Sequence, residues 1–134
     1  MAKLLFTECF AKYGAKLTNP MWAVSAIAAN GEIVISCWED YLNNPDRETL
    51  RYTDSLSRWK GNAAGNNLLR DHLSLAQLNS LPIRLVVAKT AEMGHVDAGK
   101  DASAIPRTFS VRPELRGRLV TFDGDNFVID FTRA

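Results

Sequence analysis

The sequence has few of the residues that mark secreted or membrane-spanning proteins. It contains two cysteines in 134 residues, Cys9 and Cys37, and no CxxC pair. A secreted chain of this size more often carries several cysteines that form disulfides. No apolar run approaches the ~20 residues that a membrane helix needs, and the apolar run before Thr7 is too short for a signal peptide. We therefore expect a cytoplasmic protein with reduced thiols and no membrane association.

The chain also lacks a strong net charge. Its formal charge of +1 gives no overall attraction to nucleic acid or to an anionic membrane, although local patches can still bind either. Hydrophobic residues make up 46% and charged residues 23%, which is typical of a globular protein rather than a disordered one. A chain of this length buries a core without disulfides. We expect residues 1–134 to form a single globular domain, and the sequence does not indicate its oligomeric state.

Short motifs of the common catalytic sites are missing as well. There is no GxSxG, no HExxH and no phosphate loop ending in GK[ST]. The cysteines, His72 and His95 do not have the spacing of a zinc site, and His72 lies in a segment of apolar periodicity that favours a structural, hydrogen-bonded role. A metal-dependent nuclease of the PD-(D/E)xK type would need an acid two residues before Lys89, where Val87 stands. We predict no catalytic residue, no metal ligand and no cofactor.

The clearest structural signal is the stretch WAVSAIAANGEIVISCW, which predicts a β-hairpin. Asn30-Gly31 is favoured in a two-residue type I′ turn, where both residues need positive φ. That turn would pair Ala26 with Ile35 and give the hairpin one wholly apolar face.

Apolar periodicity further along predicts a helix over about 67–80, capped by Asn66 or Asn67 and ended by Pro82. Its apolar stripe would consist of Leu68, Leu69, Leu73, Leu75, Ala76 and Leu78. A buried strand follows over 82–90, and a second hairpin surrounds 123–126, whereas 43–46 and 91–104 are predicted to be loops. An additional helix over 6–13 is compatible with the pattern. The sum is an α+β fold, a mainly antiparallel twisted sheet of about five to seven strands built from hairpins, with one principal helix on one face.

The three tryptophans differ in their predicted surroundings. Trp22 is expected to point into the core. Trp38 follows a strand, and Trp59 lies with Lys60 in a Gly/Asn-rich connection that we expect to be mobile. With Tyr52, the indoles of Trp38 and Trp59 would form a pocket that stacks a flat ring. The alternative is that these two indoles cover the sheet as part of the core.

Charged residues are segregated along the chain. Six acids against two arginines lie over 32–54, and five bases against two acids lie over 100–118. Arginine dominates the basic segment, which suits bidentate recognition of phosphate. We expect the phosphate contacts to come from Arg107, Arg112, Arg116 and Arg118, and base-edge recognition from Glu39 and Asp40. Lys60, beside Trp59, is also expected to contact the nucleic acid. The alternative is that the arginines pair with the acidic segment across the sheet.

These patterns support two functional hypotheses. The first is a non-enzymatic nucleic-acid-binding module that reads a flipped or single-stranded base in the aromatic pocket. The second is a protein-interaction module that uses the acidic segment, such as an inhibitor or accessory subunit of a bacterial defence, mobile-element or replication complex. The order of a Trp-bearing hairpin, an Asn/Gly-rich helix start and an Arg-rich final hairpin resembles small accessory domains of bacterial mobile elements. A steep salt dependence of binding would favour the first hypothesis.

Overall fold

The computed structural model describes residues 5–100, 102 and 105–133, and these residues form an α+β fold. The helices are α1 (Phe6–Lys12), α2 (Ala63–Asn79) and α3 (Met93–Asp97). The strands are β1 (Ser25–Ile27), β2 (Ile33–Trp38), β3 (Leu42–Asp46), β4 (Thr49–Ser55), β5 (Ile83–Lys89), β6 (Thr108–Val111), β7 (Leu115–Phe122) and β8 (Asn126–Arg133). The eight described strands exceed the expected five to seven by one, and the predicted class is confirmed.

The strands form one sheet in the order β1-β2-β5-β7-β8-β4-β3, and β6 pairs with the same strand β5 as β7 does. Neighbours pair antiparallel except β2 and β5, which run parallel. A parallel pair needs a long crossover connection, and here α2 supplies part of it. Because α2 ends just before β5 begins, the start of α2 and the carboxyl ends of β2 and β5 come to the same end of the molecule.

Helix α2 covers one face of the sheet, as predicted. Leu69, Leu73 and Ala76 are buried in a core that includes Ile35 and Phe131. Leu75 and Leu78 of the predicted stripe are instead exposed, Leu78 to 80%. The apolar face of the helix is therefore narrower than the sequence indicates.

The opposite face of the sheet is covered over only part of its width. Cys9 and Phe10 of α1 pack in a second core with Val34 of β2 and Val86 of β5. Over β7, β8 and β4 no core formed by the described residues packs on this face, and we call this surface the open face. Cross-strand pairing places Arg51, Arg116, Arg118, Asp130 and Thr132 on it, together with Thr53, Thr121 and Val128.

The first hairpin has a different turn from the one predicted. The N–H of Ala28 donates to the carbonyl of Glu32 at 2.8 Å, so the loop has three residues. Gly31 has a φ of +88°, whereas Asn30 does not take positive φ, which fits a three-residue loop that ends in a left-handed residue. Ile35 therefore pairs with Ser25 rather than with Ala26. The predicted register is wrong by one residue, and both faces of β2 are buried rather than one.

Helix α2 begins earlier than predicted. Its N-cap is Asn62, whose side chain accepts a hydrogen bond from the N–H of Gly65 at 3.0 Å. Asn66 lies in the first turns of the helix, where it is buried and its side-chain amide donates to the carbonyls of Leu56 and Trp59. Of the two asparagines predicted to cap the helix, Asn66 thus holds the preceding loop, whereas Asn67 is exposed and accepts a hydrogen bond from Arg70.

Two segments predicted to be loops contain regular structure. Residues 43–46 belong to β3, which lies at the edge of the described sheet. Pro45 is tolerated there because proline has no N–H to donate and an edge strand has a neighbour on one side only. Residues 93–97 form α3, and its Val96 is buried. Residues 101, 103 and 104 of the predicted 91–104 loop lie outside the described residues. The second hairpin is confirmed around 123–126, and a β-bulge shifts its register between Leu119 and Thr121.

Replacing Gly31 by Ala tests the observed turn. The added methyl group meets no atom within 4 Å, so the cost comes from the positive φ alone. We expect the free energy of unfolding to fall by about 1–2 kcal/mol in denaturant titration. The matched control is Gly94→Ala in α3, which also has open space around its Cβ but no positive φ. Equal stability of the two variants would contradict the turn.

Replacing Leu73 by Ala tests which face of α2 is buried. Leu73 is fully buried, and its truncation should lower the free energy of unfolding by about 2–5 kcal/mol. Leu78→Ala makes the same chemical change at an exposed position of the same helix. It should alter the free energy of unfolding by less than about 0.5 kcal/mol. Comparable losses in the two variants would show that α2 packs through a different face.

Candidate functional site

The three tryptophans of the chain line one pocket. Trp22, Trp38 and Trp59 are each half-buried and surround a cavity of about 70 Å³ together with the buried Tyr52. We call it the tryptophan pocket. Its volume is several times the space that one water molecule requires. The pocket therefore presents aromatic surface to whatever enters it.

The pocket lies where several elements end. Trp38 is the last residue of β2, Ala88 is next to the last residue of β5, and Asn62 caps α2; all three line the cavity. Ligands of sheets with parallel strands commonly bind beyond the carboxyl ends of those strands. The start of a 17-residue helix also brings positive partial charge to this end of the molecule. The location beyond the strand ends suits a bound ligand, and the positive potential of the helix start suits a ligand that carries negative charge.

A largely buried ion pair forms one polar part of the lining. Arg58 donates to both carboxylate oxygens of Asp54, at 2.6 and 2.7 Å, and its third nitrogen donates to the carbonyl of Val96 at 2.8 Å. Asp54 also accepts hydrogen bonds from the Tyr52 hydroxyl at 3.0 Å and from the N–H of Ser55 at 2.8 Å. Burial, and then the charge of Asp54, hold the pKa of Tyr52 well above its ordinary value, so its hydroxyl stays a neutral donor.

Two further cations belong to the lining. Lys100 is exposed, and the guanidinium of Arg107 lies 5.3 Å from the centre of the Phe109 ring. Together with Arg58 they give the described lining three cations, against the single carboxylate of Asp54. The side chains of the pocket therefore combine flat apolar faces with a positive balance of charge.

The loop that carries Trp59 is anchored at several points. Asn66 holds the carbonyls of Leu56 and Trp59, and the N–H of Gly61 donates to the carbonyl of Gly99 at 3.0 Å. A Cβ at Gly99 would lie 2.0 Å from the carbonyl oxygen of Arg58, so only glycine allows this close approach. The Trp59 side of the pocket is thus formed by backbone that is tied to α2 and to the 93–100 segment.

Helix α3 is held against the same region by a tyrosine. The hydroxyl of Tyr41 donates to the carboxylate of Asp97, and the guanidinium of Arg58 lies 4.8 Å from the centre of the Tyr41 ring. Burial and the hydrogen bond to Asp97 raise the pKa of Tyr41, so this donor also stays protonated. Arg58 therefore links the pocket lining to α3 both through the Val96 carbonyl and through the Tyr41 ring.

The structure brings together four of the residues that the sequence indicated. Trp38, Tyr52, Trp59 and Arg107 line the tryptophan pocket. The other predicted site residues are outside its lining: Glu39, Asp40, Lys60, Arg112, Arg116 and Arg118. Glu39 lies 3.7 Å from Lys89, and Arg112 pairs with Glu114 at 2.7 Å. The predicted base-edge readers are thus not inside the pocket, and the predicted phosphate contacts do not form one cluster.

Several lining residues were not predicted to belong to the site. Trp22 was assigned to the core, but it is half-buried and lines the cavity. Asp54, Arg58 and Lys100 were also missed. The sequence signal for the Asp54–Arg58 ion pair is an acid and an arginine at positions i and i+4, directly before Trp59.

The acidic segment is not one exposed face. Asp54 is in the buried pair with Arg58, and Glu32 is buried 3.2 Å from Arg116 and 3.7 Å from Arg84. Asp46 accepts hydrogen bonds within its own turn. Arg116 of the basic segment pairs with Glu32, so the expected pairing across the sheet holds for that arginine, whereas Arg112 pairs within its own segment.

A serine–histidine pair and both cysteines of the chain are buried. The Oγ of Ser25 lies 2.7 Å from Nδ1 of His72 in the core, and burial lowers the pKa of His72. Cys9 and Cys37 are both buried and unpaired, and burial raises the pKa of each thiol. In the part of the chain that the structure describes, no three His, Cys, Asp or Glu side chains form a group able to hold a metal ion.

Comparisons of the chain with protein-family models, with curated proteins and with solved structures give no match. None of the helices within the described residues has the length and apolar character needed to cross a membrane.

Replacing Asp54 by Asn tests the importance of the buried pair. Asn keeps the shape of the side chain but leaves the guanidinium of Arg58, whose side chain is 17% exposed, without its counter-charge. We expect the free energy of unfolding to fall by about 3 kcal/mol, as measured by denaturant titration. Asp130→Asn is the matched control, because its partner Arg51 is much more exposed. A loss as large in the control as in Asp54→Asn would mean that burial does not set the cost.

Proposed function

We propose that this protein is a non-enzymatic nucleic-acid-binding module that holds one unpaired base in the tryptophan pocket. The observation that carries the proposal is the convergence of Trp22, Trp38 and Trp59 with Tyr52 around one cavity. Aromatic side chains bind bases by stacking, which contributes about 1–3 kcal/mol per base and tolerates any base because every base has a π face. In a duplex that face is covered by stacking on the neighbouring base pairs, so the ligand is a single strand or an extruded nucleotide.

The exposure of the indoles favours a ligand over a purely structural role. A tryptophan that only fills a core is largely shielded from water. Here each of the three indoles is half-buried while it contacts a core: Trp38 and Trp59 pack against one core and Trp22 against the other. A stacked base would cover the aromatic surface that both cores leave uncovered.

The charge of the lining suits the phosphate that accompanies a base. Lys100 and Arg107 supply an ammonium and a guanidinium group, and arginine contacts phosphate oxygens with two parallel hydrogen bonds. The start of α2 adds positive potential at the same end of the molecule. Asp54 is paired with Arg58, and this pairing weakens its electrostatic repulsion of a phosphate.

We further propose a cytoplasmic location, because Cys9 and Cys37 are both free thiols.

Replacing Trp59 by Leu tests the stacking role. Leu keeps apolar bulk against the core but removes the flat ring, so binding of a nucleoside monophosphate should weaken by about ten-fold or more, as expected for losing one stacking contact. The measurement is quenching of the remaining tryptophan fluorescence, with a thermal melt of the same variant. Phe122→Leu is the matched control, because Phe122 is a half-buried aromatic that packs on the same core outside the pocket.

The ligand itself offers a second control. Ribose 5-phosphate lacks the base and should not compete, whereas a nucleoside without phosphate should bind more weakly and with less dependence on salt. If the nucleoside monophosphate leaves the tryptophan fluorescence of the wild-type protein unchanged at millimolar concentration, the proposed function is wrong. The same conclusion follows if Trp59→Leu and Phe122→Leu weaken binding equally.

A further inference from the structure

The open face carries positive charge that the carboxylates around it do not balance. Asp130 is engaged by Arg51 through two hydrogen bonds of 2.7 and 3.0 Å. Glu32 lies near two arginines, Arg84 and Arg116. Arg118, which is directly opposite Asp130 on the neighbouring strand, is exposed and forms no ion pair with any residue that the structure describes.

A groove adjoins these arginines. It has a volume of about 820 Å³, and Arg116, Arg118, Thr121, Thr132 and Gln77 are among the residues that line it. Strand β7 pairs with β5 at Gly117 alone among the described residues, so the part of β7 after Gly117 borders the groove as an edge. Hydroxyls, amides and backbone N–H groups next to arginines are the donors that proteins use to contact the phosphates of nucleic acid.

The groove is connected to the tryptophan pocket by an extended segment. Arg107 lines the pocket and directly precedes β6, and Arg116 lies nine residues later in β7. At ~3.3 Å per residue the two arginines are at most roughly 30 Å apart. Arg112, at the bend between β6 and β7, lies between them. A nucleic-acid strand of several nucleotides, with one base in the pocket, spans this separation. Single-strand-binding proteins with OB folds bind about 4–16 nucleotides per domain, which is the same range.

We propose that the open face binds the phosphates of a single-stranded nucleic acid that flank the base held in the tryptophan pocket. This inference rests on the proposed function, since the pocket fixes one nucleotide and thereby selects a single strand. Arg118 and Arg116 are the principal contacts. The inference is based on the charge complementarity between the open face and a phosphate backbone. The face contributes affinity without reading sequence.

The test compares a nucleoside monophosphate with a single-stranded oligonucleotide of about ten nucleotides, a length within the range of such sites. For the wild-type protein we expect tighter binding of the oligonucleotide and a steeper loss of affinity with salt. Each phosphate contact on a single strand contributes about 0.7 to the slope of log affinity against log salt. Arg118→Gln should therefore lower that slope by about 0.7 and weaken oligonucleotide binding about five-fold at ~0.1 M salt. Its binding of the monophosphate should equal that of the wild type.

Two further variants make the test specific. Arg70→Gln removes the same charge from an exposed position on α2, which packs on the opposite face of the sheet, and should leave oligonucleotide binding unchanged. Thr132→Glu adds a carboxylate to the open face without removing an ion pair, and it should weaken oligonucleotide binding at least as much as Arg118→Gln. Thermal melts of all three variants establish that each is folded.

The outcomes separate this inference from the proposed function. If Arg118→Gln and Thr132→Glu bind the oligonucleotide like the wild type while the monophosphate still quenches tryptophan fluorescence, the open face is not a phosphate site and the pocket proposal stands. If the wild type binds neither the monophosphate nor the oligonucleotide, both proposals are wrong. Equal affinity for the oligonucleotide and for its duplex would contradict the single-strand assignment of the open face.

Discussion

Asp54 and Arg58 are both largely removed from solvent, and each carries the charge that compensates the other. Burying an ion pair is costly unless its remaining hydrogen-bonding groups are also satisfied. Tyr52 and Ser55 satisfy Asp54, and the carbonyl of Val96 satisfies Arg58. The pair thereby joins β4, the loop that carries Trp59, and α3. The link holds Asp54, Arg58 and Val96, all of which line the tryptophan pocket, in contact with one another.

The elements of the fold follow closely from hydrophobic patterning, and their precise ends do not. Leu69, Leu73 and Ala76 are buried on α2 as their spacing indicates. The hairpin register was wrong because a two-residue and a three-residue loop both accommodate Asn30-Gly31, and only the backbone geometry distinguishes them. In the same way, an asparagine that caps a helix and one that holds a neighbouring loop look alike in the sequence.

The candidate site was predictable in its aromatic part and not in its charged part. Trp38 and Trp59 stand at the ends of predicted elements, where side chains of distant segments meet. The arginines of the basic segment are close in sequence, but they lie on extended strands, where separation along the chain becomes separation in space. Arg107 therefore reaches the pocket while Arg118 lies on the open face. Trp22 was assigned to the core because the predicted hairpin register turned its side chain inward.

The most direct test of the central claim is a nuclear magnetic resonance titration of the indole N–H groups. The chain has three tryptophans, and all three line the tryptophan pocket, so each contributes one indole signal to a ¹H–¹⁵N spectrum. Binding of a base in the pocket predicts that a nucleoside monophosphate shifts all three indole signals, while the backbone signal of Leu78, at the far end of α2, stays in place. Indole signals that remain unmoved at millimolar nucleotide would contradict the account.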